Sequence, residues 1–331
     1  MPLTIDPPLL NSATPWATDL ADLKALYDSP YTGAVTTRTS MLNGFRHNPK
    51  HHQYTFFDPS NHAVTPNAKK PKEYATSSLN TLGYSPKRLK EYLVFISQIA
   101  KGLGNQVKDA TNEGRPVAKA KPFIISVTGT PDEVAECYRL ICLHQAMVPM
   151  PLAMEVNLSC PNIPGQPPPA YSGEIFPPLT LRSSAPVPIG LKTPPYTQAD
   201  QFCTLVDELC KSATGSGKRK TCCPISFLTC TNTLGFSLLL DEAGPVLNSL
   251  DGSGVGGLGG AALHPLALGN VRTISAALKA HRETRHVRVI GVGGVSDKAG
   301  FERMRMAGAG AVGVGTAVGR EGVGIFEKIM G

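Results

Sequence analysis

Short apolar runs that break off into polar or glycine residues, each followed by a segment with helical spacing, recur along this chain. The most informative is "MEVNLSCPNIPG", Met154 to Gly165. Leu152, Met154 and Val156 alternate into it, Asn157, Ser159, Cys160 and Asn162 follow, and Pro161, Pro164 and Gly165 bar a helix. Runs of the same kind are "GAVTTRTS" (33–40), ending in Arg38, Thr39 and Ser40, "PFIISVTGT" (122–130), and "VPIGLKTPP" (187–195), ending in Lys192. "ISFLTCTNT" (225–233) ends in Asn232 and Thr233, and "VRVIGVGG" (287–294) and "AVGVGTA" (311–317) end in glycine turns. "SLNTLGYSP" (78–86), which carries Asn80, reads as one more such unit.

The intervening segments have a 3.6-residue period. After "LLNSAT" (9–14), Leu20, Leu23, Leu26 and Tyr27 share one face. Ser85 and Pro86 suit an N-cap and first helical position for a helix carrying Leu89, Leu93, Ile96 and Ile99. Thr130, Pro131 and Glu133 form a capping box for a helix running through Cys142. Thr197 is placed to cap a helix with Phe202, Leu205, Val206 and Leu209; further helices are expected at 265–278 and from near Ser296. About eight strands alternating with helices, without an internal linker, predict a single domain over 1–331. Parallel strands follow from the alternation, and eight units predict a (β/α)8 TIM barrel with its active site at the C-terminal ends of the strands. An open doubly wound sheet is the alternative. Gly254, Gly256 and Gly259 match the spacing of a dinucleotide fingerprint, but no strand leads into them and no helix opens at the last. The stretch 252–260 is instead expected to be a loop whose backbone approaches something closely.

Composition narrows the class. With 41% hydrophobic and 17% charged residues the chain is of soluble globular type, and no apolar run is long enough to span a bilayer. Its start, "MPLTIDPPLLNS", has neither a signal-peptide nor a transit-peptide pattern, which predicts a cytoplasmic protein. The eight cysteines include no Cys-x-x-Cys pair and are expected as free thiols, and no His or Cys spacing suggests a metal site. The net charge of +7 rests partly on two local clusters, 69–72 and 217–220, without interleaved aromatics. These read as solvated loops rather than a nucleic-acid surface, although the charge favours small anionic substrates.

At the predicted strand ends stand Arg38, Asn80, Asn157, Lys192, Asn232 with Thr233, Gly293 with Gly294, and Gly315 with Thr316. Two cations, three amides and two glycine turns suit a planar ligand with amide groups and a phosphate. Lys192, closing an apolar strand, is expected to face an anion, because an uncompensated buried ammonium is costly. Cys160 is a candidate base or nucleophile, with a purely structural thiol as the alternative.

"EVNLSCPNIPGQPPPAYSG" resembles the catalytic segment of the dihydroorotate dehydrogenases of the soluble, homodimeric, fumarate-using class. "GLKTPPY", "CTNTLG", "GGLGGAALHPLALGNVR" and the glycine-rich last two strands resemble the family's later segments in the same order. The resemblance implies an FMN over the mouth of a βα barrel and oxidation of dihydroorotate to orotate, with fumarate as acceptor. It implies Cys160 as the base at C5 and Lys192 against the N1/C2 edge of the flavin. Ala13, Arg38, Thr39, Asn157, Gly256 and Gly257 would also contact the cofactor, with Gly293, Gly294, Gly315 and Thr316 at its phosphate. Arg38, Asn80, Leu82, Gly83, Asn157, Asn162, Asn232 and Thr233 would contact the substrate. A cysteine at 160 separates the chain from the membrane-bound quinone-using class, which has serine there. Departures are Arg38 for a lysine, Thr14 for a glycine, Ser85 and Pro86 for Pro-Asn, an apparent insertion at 211–221, and little chain after the start of the last helix. They leave open another cyclic amide or enoate as substrate, or a flavin-binding protein without turnover.

Overall fold

The computed structural model describes residues 3–65, 71–112, 120–159, 187–213 and 222–331, with side chains left out at 104–112. Eight parallel strands form one sheet, in the order Leu9–Asn11, Ala311–Val314, Arg288–Val292, Phe227–Cys230, Ile189–Thr193, Leu152–Asn157, Phe123–Val127 and Val35–Thr36. The ends of this sheet meet: Leu10 bridges Ala34, and the Gly33 N–H donates to Leu9 O at 2.8 Å. The result is the (β/α)8 barrel expected from the alternation.

These strands read as near-continuous apolar runs because barrel strands are buried on both faces. One face supplies an interior cluster of Leu10, Ala34, Ile124, Ala153, Phe227, Ile290 and Ala311. Phe227 fills the axis beside Gly190, where an added Cβ would lie 2.2 Å from its ring. The other face packs against the helices; Val134, Cys137 and Ile141 of the helix Pro131–Gln145 belong to the larger core cluster, as do Val271, Ile274 and Leu278 of His264–Ala280. Each of these valine, isoleucine and leucine side chains contributes about 1.5–3 kcal/mol on burial. The Thr130–Glu133 capping box is present in both directions.

A second, antiparallel sheet covers the barrel mouth, in the order Leu234–Ser237, Gly256–Gly260, Ser77–Asn80, Tyr54–Phe57 and Val64–Thr65. The two sheets correct the expected strand assignment three times. Asn80 ends a strand of this cover and not of the barrel, whereas Leu9–Asn11, expected only to lead into a helix, is a barrel strand. The reason is visible in composition: Leu9 and Leu10 are both fully buried, while Ser77–Asn80 is mostly polar and suits a sheet covered unequally on its faces. The glycine stretch is likewise a strand over Gly256–Gly260, not a loop. It does approach neighbouring chain closely: an added Cβ would lie 2.2 Å from Asn80 O at Gly256 and 2.3 Å from Thr233 Oγ1 at Gly257.

Three helix starts also move. The helix expected from Ser85 begins at Leu89, because the Ser85 hydroxyl is committed to Tyr92 Oη (2.8 Å) and to the Lys87 N–H (3.1 Å). The next begins at Ala199 after Gln198, since Gln201 Oε1 accepts from the N–H groups of both Thr197 and Gln198. The last begins at Lys298, capped by Asp297, which accepts from the Gly300 N–H at 2.6 Å. No described helix is long and apolar enough to cross a membrane.

Candidate active site

One cavity lies between the C-terminal ends of the barrel strands and the cover sheet, with about 1010 Å³ of space including its part open to solvent. The structure brings Ala13, Arg38, Thr39, Asn80, Leu82, Gly83, Asn157, Lys192, Asn232, Thr233, Gly293, Gly294, Gly315 and Thr316 to its wall. Gly256 and Gly257 are one layer back: Gly257 O accepts from Asn80 Nδ2 at 3.1 Å, and Gly259 and Gly260 line the cavity in their stead. Cys160 and Asn162 lie outside the described residues.

Barrel register brings the polar residues together. Asn157 pairs with Lys192 across adjacent strands, and Lys192 pairs with Thr229 on the next. Lys192 is only 4% exposed, and its Nζ donates to Ser12 Oγ at 3.2 Å, from the end of the first strand. Asn157 is held from both ends of its amide. Its Nδ2 donates to Thr39 Oγ1 at 3.0 Å, and its Oδ1 accepts from the Ser159 N–H and Oγ (3.2 and 3.1 Å) and from Asn232 Nδ2 (3.3 Å).

Below this floor sits the buried carboxyl group of Glu155, bonded to Ser126 Oγ at 2.8 Å and Thr229 Oγ1 at 2.6 Å. Ser126 Oγ in turn meets Thr39 Oγ1 at 2.9 Å, so one chain of hydrogen bonds runs from Glu155 to the Asn157 amide. Ser126 Oγ donates to Glu155 and accepts from Thr39 Oγ1, and Thr39 Oγ1 accepts from the Asn157 amide.

Arg38 reaches across the mouth and donates from Nη2 to Gly83 O at 3.2 Å, tying down the 82–84 turn. Burial and then the Arg38 charge hold the His47 imidazole below its ordinary pKa, and burial, then the neighbouring His47 and His51, and least of all Arg38, do the same for His52. Ser12, Trp16, Tyr54, Ser78 and Thr231, which are not among the site residues expected from the sequence, also stand on the cavity wall. Trp16 stacks on Phe56 at 5.8 Å and meets Tyr54 edge-on at 5.5 Å. As the chain's one tryptophan, just past the first barrel strand, it was the only one of these with a signal in the sequence.

Two buried hydroxyls on the wall, Thr14 Oγ1 and Thr231 Oγ1, have no hydrogen-bond partner among the described residues. Unpartnered polar atoms on residues of the cavity wall are compatible with a polar ligand that completes them. Among the described cysteines none lines the cavity, and burial pushes the thiols of Cys137, Cys223 and Cys230 up to about 12, where they cannot act as bases near neutrality. No group of three or more His, Cys, Asp or Glu side chains among the described residues is arranged to hold a metal ion.

A closed parallel barrel with a cation- and amide-lined cavity at its strand C-termini places the chain among the βα-barrel proteins whose site is built on strand ends. A family model described as dihydroorotate dehydrogenase matches residues 68–331. The chain belongs to the dihydroorotate dehydrogenase family. It is 30% identical over 261 residues to a protein of Streptococcus pyogenes serotype M5 (strain Manfredo), provisionally named dihydroorotate dehydrogenase A (fumarate), covering 76% of this chain and 70% of that one. A protein of the same provisional name from Streptococcus agalactiae serotype Ia is 27% identical over 333 residues, covering 97% of this chain and 86% of that one.

Proposed function

We propose that this chain is an FMN-dependent, single-domain enzyme that oxidises (S)-dihydroorotate to orotate in pyrimidine synthesis, with fumarate as electron acceptor. One observation carries the reading: buried Lys192, Arg38 and the amides of Asn80, Asn157 and Asn232 converge with two glycine turns on a single cavity. The relatives' names, which specify fumarate, support the acceptor.

The residues fit the cofactor, since the Thr14 and Thr231 hydroxyls lack partners among the described residues and the two glycine turns stand on the cavity wall. When bound, FMN supplies the two-electron acceptor for the hydrogen leaving C6 of the substrate. In this reading Gly293, Gly294, Gly315 and Thr316 hold its phosphate, and Ala13, Thr39, Asn157 and Lys192 hold the ring system. Gly256 and Gly257 contribute by seating Asn80 and Thr233 from behind. Asn80, Asn157, Asn162, Asn232 and Thr233, with Leu82 and Gly83, orient the pyrimidine. Cys160 takes the proton from C5.

Cofactor released by heat should have the mass of FMN, and anaerobic dihydroorotate should bleach the yellow protein. FAD, or no flavin, would overturn the cofactor assignment, and colour that persists under dihydroorotate would overturn the substrate. A different cyclic amide or enoate is the second reading. It is favoured by Ser85, whose hydroxyl turns to Tyr92 and which, with Pro86, is absent from the cavity wall where the family's amide would stand.

Arg38 is the departure closest to the substrate. A guanidinium can hold a carboxylate with two parallel hydrogen bonds, whereas lysine presents a point charge. Arg38→Ala is expected to weaken orotate binding by about 1.5–3 kcal/mol, the range for a hydrogen bond to a charged group, with flavin retained. Arg38→Lys should recover part of the loss. Orotate titrated against flavin absorbance reads both, and equal affinities in the three proteins would remove Arg38 from the substrate site.

A homodimer is part of the same proposal. Phe236 is 98% exposed and Leu240 62% exposed near one edge of the cover, an apolar surface suited to a second copy. Light scattering should read twice the chain mass of 35.1 kDa. A value equal to one chain would exclude the dimer.

A further inference from the structure

We propose that His264 and Arg303 act together as positioning residues for the phosphate end of the cavity, by locking the orientation of the Gly293–Gly294 peptide. The inference deepens the FMN reading and rests on it. His264 Nδ1 lies 2.6 Å from Gly293 O, and Arg303 Nε donates to His264 Nε2 at 3.2 Å. Arg303 has only donors, so His264 Nε2 must accept, and the ring proton resides on Nδ1, where it donates to the Gly293 carbonyl. The guanidinium thereby selects the tautomer that the carbonyl needs.

Peptide geometry carries the effect to the cavity. The Gly293–Gly294 bond is not among the cis bonds, so its C=O and N–H point in opposite directions. With the carbonyl drawn to His264, which lies behind the cavity wall, the Gly294 N–H is turned toward the cavity, whose wall includes both glycines. No protein acceptor among the described residues takes that N–H. Both residues have positive φ, 141° and 72°, so the turn belongs to glycine, and glycine peptides flip easily unless something holds them. An added Cβ on Gly294 would also lie 2.6 Å from Gly260 O and 2.7 Å from His264 Cβ, which leaves the peptide little room for a side chain. His264 and Arg303 thus supply orientation, and the backbone N–H supplies the contact to an anionic oxygen.

The test compares FMN with riboflavin, which lacks the phosphate, in binding titrations of the flavin-free protein. His264→Phe keeps the ring volume and removes the donor. It is expected to weaken FMN binding about ten- to a hundredfold, the effect of one charge-assisted hydrogen bond, while riboflavin binding changes less than twofold. His264→Asn places an amide N–H near the former Nδ1 and should restore most of the FMN affinity. Arg303→Met leaves His264 in place and should weaken FMN selectively, by a few-fold. If His264→Phe does not fold, as judged by circular dichroism, the Arg303→Met and His264→Asn pair decides the question. Equal losses for FMN and riboflavin, or an unchanged FMN preference in all variants, would overturn the positioning role. A wild-type protein that binds neither flavin, or both equally, would instead overturn the FMN reading itself and this inference with it.

Discussion

Replacing Cys160 by alanine is expected to slow anaerobic flavin reduction by dihydroorotate by about a hundred- to ten-thousand-fold, the usual contribution of a general base, while the protein stays yellow. The expectation comes from the sequence Ser159-Cys160-Pro161, which follows the strand Leu152–Asn157. It is sharpened by the other thiols, since Cys137, Cys223 and Cys230 are pushed up to about 12 and stand away from the cavity. Cys160→Ser should keep part of the activity with an optimum at higher pH. A hydroxyl is a weaker acid than a thiol, so a larger fraction of the basic form requires a higher pH. Stopped-flow absorbance at the flavin band measures both variants. A reduction rate unchanged in Cys160→Ala would make the thiol structural and leave the base to another group.

Lys192→Met is expected to lower the reduction rate by about a hundred- to a thousandfold, as loss of one preorganised donor at developing charge does. Lys192 is buried at the end of a barrel strand, anchored to Ser12, and set beside Asn157 by strand register. In such surroundings an ammonium is costly unless it faces an anion, and in the proposed function the negative charge that reduction brings to a bound flavin would meet that need. Methionine keeps the length and apolar bulk while removing the charge. The flavin midpoint potential should therefore fall in the variant, because the reduced form loses its stabilising partner. Potentiometry with a redox dye separates this from a packing defect, which would lower thermal stability without moving the potential. An unchanged potential and rate would mean that Lys192 serves only the fold.

Much of the site was legible because its residues end apolar runs. Arg38, Asn157, Lys192 and Asn232 could be found from the point where each run turns polar, and the last two strands from their glycine turns. Trp16, Tyr54 and Ser78 were not, since none ends a barrel strand and two of them sit on the cover sheet. The strand Gly256–Gly260 is hidden in the sequence because glycine carries no β signal, yet glycine is what the narrow space against Asn80 and Thr233 requires.

Features set within a few residues of each other are written in the chain: the alternation of strand and helix, the Thr130–Glu133 capping box, and the polar step at each strand end. These follow from periodicity and short-range hydrogen bonding, which act along the chain. The tertiary structure decided which strands share a sheet and which side chains face one another. Ser12 meets Lys192 across 180 residues, Asn157 meets Thr39 across 118, and His264 meets the Gly293 carbonyl across 29. Such meetings depend on strand register and barrel closure, and a one-residue slip would turn each side chain to the opposite face. That is why a residue's place at a strand end could be read from the chain, whereas its partner there could be known only once the barrel had closed.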